Sequence, residues 1–338
     1  MIAVAQTPRP EETTSSRRRL RRLLRTRRSS RRTHCAYQRA HLFCFGLGYS
    51  ALALARRVAA SDWAVTGTCR SAEKQAVLYE SGFSAVLFDQ DRAVDESVLR
   101  GVTHLLVSVP PDAAGDPVLA LHGDDIATLP RLSWLGYLST TGVYGDRGGG
   151  WVDETAQLLP TGERGRRRVS AEEGWLGLWQ NRGVPVHVFR LAAIYGPGRS
   201  AFDALRAGTG RRIDKPGQVF SRIHVADLAS VLIASMARPR PGAVYNVCDD
   251  DPAPPAAVVA HAAELLGVAP PPLVPFEVAR LSPMARSFYD DNKRVANRLI
   301  KTELGVTLRY PDFRTGLAAI LADKACPKTR HPASSADR

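Results

Sequence analysis

The chain has 338 residues, 44% of them hydrophobic, which is enough apolar material for a sizeable folded core and predicts about two domains. No apolar run reaches the roughly 18 residues of a membrane-spanning helix, so we expect no membrane span. Five cysteines without a Cys-x-x-Cys pair argue against a metal site of the zinc type and against a disulfide framework. They favour a reducing, cytoplasmic location.

The net charge of +13 belongs mostly to the N-terminal segment. Residues 1–40 contain twelve arginines against Glu11 and Glu12, a surplus of +10, which leaves +3 for residues 41–338. The rest of the chain is therefore nearly neutral, and we expect no specific nucleic-acid partner for it.

The arginine-rich segment, residues 1–40, is typical of a disordered extension. Its leucines at positions 20, 23 and 24 share one helical face, so a targeting segment or a membrane-surface helix remains an alternative. Nonspecific binding of nucleic-acid phosphates is a further one. Residues 325–338 are expected to form a loose tail.

The first folded elements follow the pattern strand, glycine turn, helix, strand. An apolar run over residues 41–45 is followed by Gly46-Leu-Gly48, an amphipathic helix and a second strand over residues 64–69. This context is typical of dinucleotide-binding folds, in which the helix N-terminus points at the pyrophosphate. The predicted cofactor contacts at this turn are Gly46, Gly48, Tyr49, Ser50 and Ala51.

The residue that closes the second strand indicates which dinucleotide is bound. A carboxylate there binds a ribose 2′-hydroxyl, whereas an arginine can pair with a 2′-phosphate. The chain has Arg70 followed by Ser71, and no acidic residue between Asp62 and Glu73. We therefore predict NADP as the cofactor, with NAD as the second choice. The alternative is that Arg70 is a solvated charge and Ser71 an N-cap.

Helix and strand patterns then alternate, which favours an α/β fold with a Rossmann-type, doubly wound parallel sheet. We assign this NAD(P)-binding domain to residues 41–195. The predicted helices are 71–81, 95–101, 117–129 and 166–181, and the predicted strands are 85–89, 104–110, 134–139 and 186–191.

From about residue 195 the pattern loosens, which predicts a smaller C-terminal lobe over residues 196–324, interleaved with the first domain. Helices are predicted at 225–237, 254–266 and 313–322, and a strand at 306–310. Ligands in such folds bind beyond the carboxyl ends of the strands. The loops expected to meet there follow Phe45, Cys69, Phe88, Val109, Ser139 and Ala193.

Residues 41 to about 321 resemble the atypical extended short-chain dehydrogenases/reductases of the NAD-dependent epimerase/dehydratase type. Besides the glycine turn and Asp89, the resemblance rests on three motifs in this order: Ser139-Thr-Thr-Gly-Val-Tyr-Gly145, Arg190-Leu-Ala-Ala-Ile-Tyr-Gly-Pro-Gly198 and Arg222-Ile-His-Val-Ala-Asp-Leu228.

The resemblance implies further contacts with the cofactor. Asp89 would accept a hydrogen bond from the adenine amino group, or else be a solvent-exposed strand end. The residues implied to line the adenine-ribose side are Ser108, Val109 and Pro110. Those implied to border the nicotinamide are Tyr195, Gly196 and Pro197, for which a plain Pro-Gly turn is the alternative.

The resemblance also places Thr140 at the catalytic Ser/Thr position, with a strand-end hydroxyl bonded to the backbone as the alternative. Arg164 and Arg168 occupy the positions of the catalytic tyrosine and lysine. Arginine cannot replace them as an acid/base, because its pKa exceeds about 12.

Three explanations remain open for the replacement of the family's tyrosine and lysine by arginines. Another group could act as the acid/base, although each candidate also has a structural reading: Tyr144, Glu154, Tyr195 and His224. Hydrogen bonds from Thr140 or an arginine could polarise the substrate without a proton relay. The protein could also bind NADP without catalysis. The arginines at 164 and 166–168 would hold an anionic substrate group or form a solvated helix face.

We therefore predict an oxidoreductase or a sugar-nucleotide-modifying enzyme that lacks the usual Tyr/Lys pair and acts on a small-molecule substrate. The alternative is a non-catalytic NADP-binding regulator or redox sensor. A homodimer is compatible with either reading.

Overall fold

The computed structural model describes residues 39–325. The predicted N-terminal extension, apart from its last two residues, and the predicted tail beyond residue 325 lie outside this range.

The core of the fold is a seven-stranded sheet in which every neighbouring pair of strands is parallel. The strands in chain order are β1 (His41–Phe45), β2 (Ala64–Cys69), β3 (Ser84–Leu87), β4 (His104–Val107), β5 (Trp134–Thr140), β6 (Trp151–Val152), β7 (Val186–Leu191), β8 (Ala193–Tyr195), β9 (Arg212–Asp214), β10 (Arg222–His224), β11 (Val244–Val247), β12 (Leu273–Pro275) and β13 (Arg294–Val295). The order in the central sheet is β3-β2-β1-β4-β5-β7-β11.

Helices cover both faces of this sheet, which confirms the predicted Rossmann-type fold. They are α1 (Tyr49–Ala59), α2 (Ala72–Glu80), α3 (Pro117–Ala127), α4 (Glu163–Arg182), α5 (Ala201–Arg206), α6 (Val225–Ala237), α7 (Pro255–Leu266), α8 (Pro283–Ser287), α9 (Arg298–Thr302) and α10 (Phe313–Ala325). Among these described helices, none is both long enough and apolar enough to cross a membrane.

The side chains of β1 point alternately to the two faces of the sheet, and both faces are buried. Leu42 and Cys44 pack into the core beneath α1 and α6, whereas Phe43 and Phe45 pack into the opposite core. Successive side chains of a strand point to opposite faces, so an entirely apolar strand needs cover on both faces. The indole of Trp175 on α4 lies fully buried in the second core.

The region predicted as the smaller lobe contributes a strand to the central sheet. Val244 to Val247 form β11, which pairs with β7 at the sheet edge and was not predicted from the sequence. Three two-stranded pairs lie outside the central sheet and were also not predicted: β8 with β10, β9 with β12, and β6 with β13.

Two predicted elements are wrong. Residues 95–101 were predicted as an α-helix, but only a 3-10 helix forms there, over Glu96–Leu99. Residues 306–310 were predicted as a strand, but they pair with none of the described strands. Their Arg309 and Tyr310 amides instead donate hydrogen bonds of 2.8 and 2.9 Å to the buried Asp227 carboxylate on α6.

Candidate functional site

The turn after β1 requires glycine at its first position. Gly46 has φ +88°, and a Cβ placed there would lie 2.8 Å from Ser108 Oγ. The Gly46 amide donates to Thr68 Oγ1 at 2.8 Å, and the Ser108 hydroxyl donates to the Gly46 carbonyl at 2.7 Å. The turn is therefore held on one side by β2 and on the other by the end of β4.

Helix α1 begins at an unobstructed position. Gly48 is its exposed N-cap. Within the part of the chain that the structure describes, no side chain caps the helix and a Cβ at Gly48 would have no atom within 4 Å. The first amides of a helix lack partners inside the helix and carry its positive end. The N-terminus of α1 therefore faces open space, as an anion site at this place requires.

A second predicted segment lies against the start of α1. The Tyr49 hydroxyl donates to the Pro197 carbonyl at 3.2 Å, and a Cβ at Gly196 would lie 2.6 Å from that hydroxyl oxygen. The Arg199 guanidinium lies 5.7 Å from the centre of the Tyr49 ring. The structure thus brings together the two glycine turns that the sequence analysis assigned to the cofactor.

Arg70 lies exposed at the end of β2 and makes no hydrogen bond or ion pair with the described residues. Ser71 is the N-cap of α2, and its Oγ accepts the Lys74 amide at 3.3 Å. Asp89 is half-buried, and its Oδ1 accepts the Asp91 amide at 3.1 Å. Among residues 39–325, no carboxylate therefore pairs with Arg70.

The residues predicted for the adenine-ribose side follow β4. Ser108 closes the glycine turn through its hydroxyl, so one of its roles is structural. Val109 is half-buried, and its Cγ2 would lie 3.3 Å from a Cβ at Gly46. Pro110 is exposed. These residues therefore lie beside the turn, at the same edge of the sheet as Arg70.

Thr140 ends β5 and caps the 3-10 helix Thr141–Tyr144. Its Oγ1 accepts the Gly142 amide at 3.1 Å, which is the backbone hydrogen bond anticipated as the alternative to a catalytic role. The hydroxyl hydrogen is not used in this bond, because Oγ1 is the acceptor. Thr140 can therefore still donate a hydrogen bond to a ligand.

The arginines of α4 have different surroundings. Arg166 and Arg167 both pair with Glu163 on the helix surface. Arg168 donates to the Leu138 carbonyl and, at 3.3 Å, to the Tyr137 hydroxyl. Arg164 is exposed, lies 5.5 Å from the centre of the Phe288 ring, and makes no ion pair with the described residues.

Of the four alternative acid/base candidates, the two tyrosines are buried and their hydroxyl groups are hydrogen-bonded. The Tyr144 hydroxyl donates to Asn246 Oδ1 at 2.7 Å and accepts from Arg190 at 3.0 Å, and burial raises its pKa to about 12. The Tyr195 hydroxyl donates to the Asp312 carbonyl at 3.2 Å, and burial raises its pKa as well. Both phenol groups therefore have structural hydrogen bonds inside the fold.

The other two candidates also hold the backbone. Glu154 Oε1 accepts the Asn246 amide at 2.8 Å, and burial raises the pKa of this carboxyl. His224 caps α6, where its Nδ1 accepts the Ala226 amide at 3.2 Å. Burial lowers the pKa of this imidazole to about 4, with a smaller effect of Arg309 in the same direction. Both side chains therefore have structural roles.

A buried network beneath Thr140 was missed by the sequence analysis. Arg190 on β7 and Glu172 on α4 form an ion pair of 2.8 Å, and both side chains are at least 94% buried. The hydroxyl of Ser139, which lies opposite Arg190 in the β5–β7 register, donates to Glu172. Ser139 and Arg190 begin two of the motifs quoted above, but their common partner Glu172 lies in a polar helix and gives no signal of its own.

Similar proteins were found by sequence and by structure. No protein-family model matches the chain. Protein YeeZ of Escherichia coli (strain K12) is 27% identical over 285 residues, which covers 79% of this chain and 95% of YeeZ. A functionally unknown conserved protein from Silicibacter pomeroyi DSS has a solved structure with 55% identity and a TM-score of 0.79, covering 84% of this chain and 99% of that one.

A Methylobacillus flagellatus structure described as an NAD-dependent epimerase/dehydratase is 25% identical, with a TM-score of 0.64, and covers 85% of this chain and 99% of that one. The chain therefore shares the fold of the NAD-dependent epimerase/dehydratase superfamily. A more distant member, dTDP-glucose 4,6-dehydratase from Bacillus anthracis in complex with NAD, has 17% identity, a TM-score of 0.67 and coverage of 84% and 96%. At this identity the likeness concerns the fold of the superfamily alone.

We expect Glu172→Gln to lower the free energy of unfolding by about 3–5 kcal/mol, because it leaves the buried Arg190 charge without a counter-ion. The measurement is urea denaturation followed by tryptophan fluorescence. Glu173→Gln is the matched control, since the next residue along α4 is exposed and should change stability by less than about 0.5 kcal/mol. Equal losses in the two variants would contradict the assignment.

Proposed function

We propose that this protein binds NADP at the carboxyl edge of its parallel sheet and acts as an oxidoreductase without a Tyr/Lys pair. Two observations carry the proposal: within the described residues, the N-terminus of α1 behind Gly48 is open and uncapped, and Arg70 at the end of β2 has no partner. The first feature suits a diphosphate, and the second suits an additional phosphate on the ribose.

The preference for NADP rests on the charges at the end of β2. Arg70 presents five N–H donors in a planar fork, which matches the geometry of a phosphate. Ser71 Oγ accepts the Lys74 amide and its hydroxyl donates to the Glu73 carboxylate, so Arg70 is the group expected to contact the phosphate. The NAD complex of the Bacillus anthracis relative supports a dinucleotide in this fold, and Arg70 is the reason to expect the phosphorylated form here.

The catalytic proposal rests on two groups, the Thr140 hydroxyl and the Arg164 guanidinium, that donate no hydrogen bond to residues 39–325. When bound, NADPH would supply a hydride for the reduction of a substrate carbonyl group. Thr140 would donate its hydroxyl hydrogen to the substrate oxygen, and the Arg164 guanidinium would stabilise the negative charge that develops there. Both groups would stabilise the oxygen by hydrogen bonding without transferring a proton to it. The proton that completes the product hydroxyl would come from water.

The substrate is proposed to be a small molecule with an anionic group, in keeping with Arg164, which is exposed and makes no ion pair with residues 39–325. A sugar nucleotide has such a group. Buried free thiols at Cys44, Cys69 and Cys248 support the reducing environment of the cytoplasm. We retain a homodimer as part of the proposal without assigning its interface.

The second candidate is a regulator that binds NADP without turnover. It is favoured by the replacement of the Tyr/Lys pair by Arg164 and Arg168, and by the structural hydrogen bonds of all four other acid/base candidates. A regulator needs only to bind the dinucleotide, whereas an enzyme also needs hydrogen-bond donors beside the nicotinamide.

Gly48→Val is expected to weaken NADP and NAD binding at least tenfold, a loss of about 1.4 kcal/mol, because its side chain would occupy the space in front of α1. The backbone of Gly48 (φ −88°, ψ −166°) accepts valine without strain, so the fold should persist. Isothermal titration with each dinucleotide measures the effect. Gly162→Val is the matched control at the equally open N-cap of α4, and unchanged affinity in Gly48→Val would refute the proposed site.

Arg70→Asp is expected to weaken NADP about 10- to 100-fold more than NAD, because it removes a charge-assisted hydrogen bond of roughly 1.5–3 kcal/mol. The same titrations measure both affinities. Arg100→Asp makes the same change of charge at the opposite edge of the sheet and should leave the ratio unaltered. Equal losses for both dinucleotides would remove the argument for a phosphate contact at Arg70.

Thr140→Val and Arg164→Met are each expected to lower kcat/KM at least tenfold while leaving NADP affinity unchanged. The assay follows NADPH oxidation with a panel of small ketones and sugar nucleotides. Arg167→Met is the control, since its guanidinium already pairs with Glu163. Tight NADP binding with no turnover on any member of the panel would favour the regulator.

A further inference from the structure

A cavity of about 320 Å³ lies where α5, α7 and α10 meet the β8–β10 pair. Its wall includes Tyr195, Arg199, Arg222, Val258 and Phe313. The glycine turn, Arg70, Thr140 and Arg164 do not line it. The cavity therefore borders the predicted cofactor segment at Tyr195, but it does not include the groups that carry the proposed function.

Arg222 is a buried cation whose hydrogen-bonding capacity is only partly used. Its side chain is about 91% buried, and Nη1 donates to the carbonyls of Phe220 at 2.7 Å and Ala253 at 3.0 Å. The other edge of the guanidinium, Nε and Nη2, has no acceptor among residues 39–325, and no carboxylate of that part lies within 4 Å. A buried charge without a partner is costly unless a ligand provides one.

Asp249 lies near Arg222 but does not neutralise it. Both carboxyl oxygens of Asp249 are buried without a hydrogen-bond partner in the described part of the chain. Burial raises the pKa of this carboxyl to about 8, against a smaller opposing effect of Arg222. The Asp249 carboxyl makes no hydrogen bond or ion pair with the Arg222 guanidinium, so Arg222 has no counter-ion in contact with it among residues 39–325.

The remaining charges and surfaces of the cavity define its occupant. Arg199 adds a second guanidinium, whereas the one carboxylate in the wall, Asp203, already accepts from the Ser200 amide and hydroxyl at 2.9 and 2.6 Å. Val258 and Phe313 supply apolar parts of the same wall. An occupant therefore needs one acidic group and an apolar body.

We propose that this cavity binds a small organic anion, whose carboxylate or phosphate pairs with the free edge of Arg222 and whose apolar part packs against Val258 and Phe313. Two parallel N–H donors on one edge of a guanidinium suit either oxyanion in a bidentate arrangement. The volume lies at the lower end of the range for small-molecule sites, so the ligand is about the size of a substituted benzene ring.

The test uses benzoate and phenyl phosphate as probes on the full-length protein, with saturation-transfer NMR and isothermal titration. We expect saturable binding of at least one probe in the millimolar range or tighter. Benzamide, which has the shape of benzoate without its charge, should bind at least tenfold more weakly. Absence of saturable binding by both probes, or equal binding of benzamide, would overturn the proposal.

Variants locate the bound probe. Arg222→Gln should lower affinity at least tenfold, but Arg222 also holds two loop carbonyls, so a second variant is needed. Val258→Phe fills the cavity and should abolish binding, whereas Val259→Phe on the same helix does not line it and should leave binding intact. Equal affinity in the Val258 and Val259 variants would refute the site.

Gly48→Val separates this proposal from the proposed function. Probe binding should persist in Gly48→Val, because the cavity does not include the start of α1. Loss of phenyl phosphate binding in that variant would mean that the probe occupies the dinucleotide site, which would overturn the proposal. Loss of NADP binding without loss of probe binding supports it.

Discussion

Two side-chain hydroxyl groups, Thr68 on β2 and Ser108 after β4, close around the glycine turn that follows β1 and thereby determine where α1 begins. The turn needs a positive φ at Gly46 and no side chain there, since Ser108 occupies that space. With the turn held by both neighbouring strands, the first amides of α1 open at the carboxyl edge of the sheet. The candidate site at that edge depends on this geometry.

A buried ion pair with its hydrogen-bond partners lies beneath the carboxyl edge of the sheet and is not part of the candidate site. Arg190, Glu172, Ser139 and Tyr144 form a connected, buried network between β5, β7 and α4. Such a network, with its partners satisfied, specifies one arrangement of the elements that it joins. Thr140 follows Ser139 directly, so its position at the edge is set by groups that are unavailable for chemistry.

Two buried arginines, Arg190 and Arg222, differ in how many of their nitrogens have hydrogen-bond acceptors. Arg190 is neutralised by Glu172 at 2.8 Å and has further acceptors on its other nitrogens, so nothing is left for a ligand. Arg222 is buried to a similar degree and lines a cavity, but its Nε and Nη2 have no acceptor in residues 39–325. The type of residue and its burial are the same, and only the partners differ.

The sequence by itself determined the Rossmann half from β1 to β2, because strand period, glycine turn and helix are encoded by neighbouring residues. The sequence did not determine whether residues 306–310 form a strand, because Val306, Leu308 and Tyr310 are buried alternately, as they would be in a strand. The chain is extended there, but Asp227, some 80 residues earlier, takes two of its amides. Only the tertiary structure decided that Tyr144 and Glu154 hold Asn246 instead of reaching the site. A hydrogen-bond partner about 100 residues away leaves no local pattern, since it is chosen by how the packed elements meet.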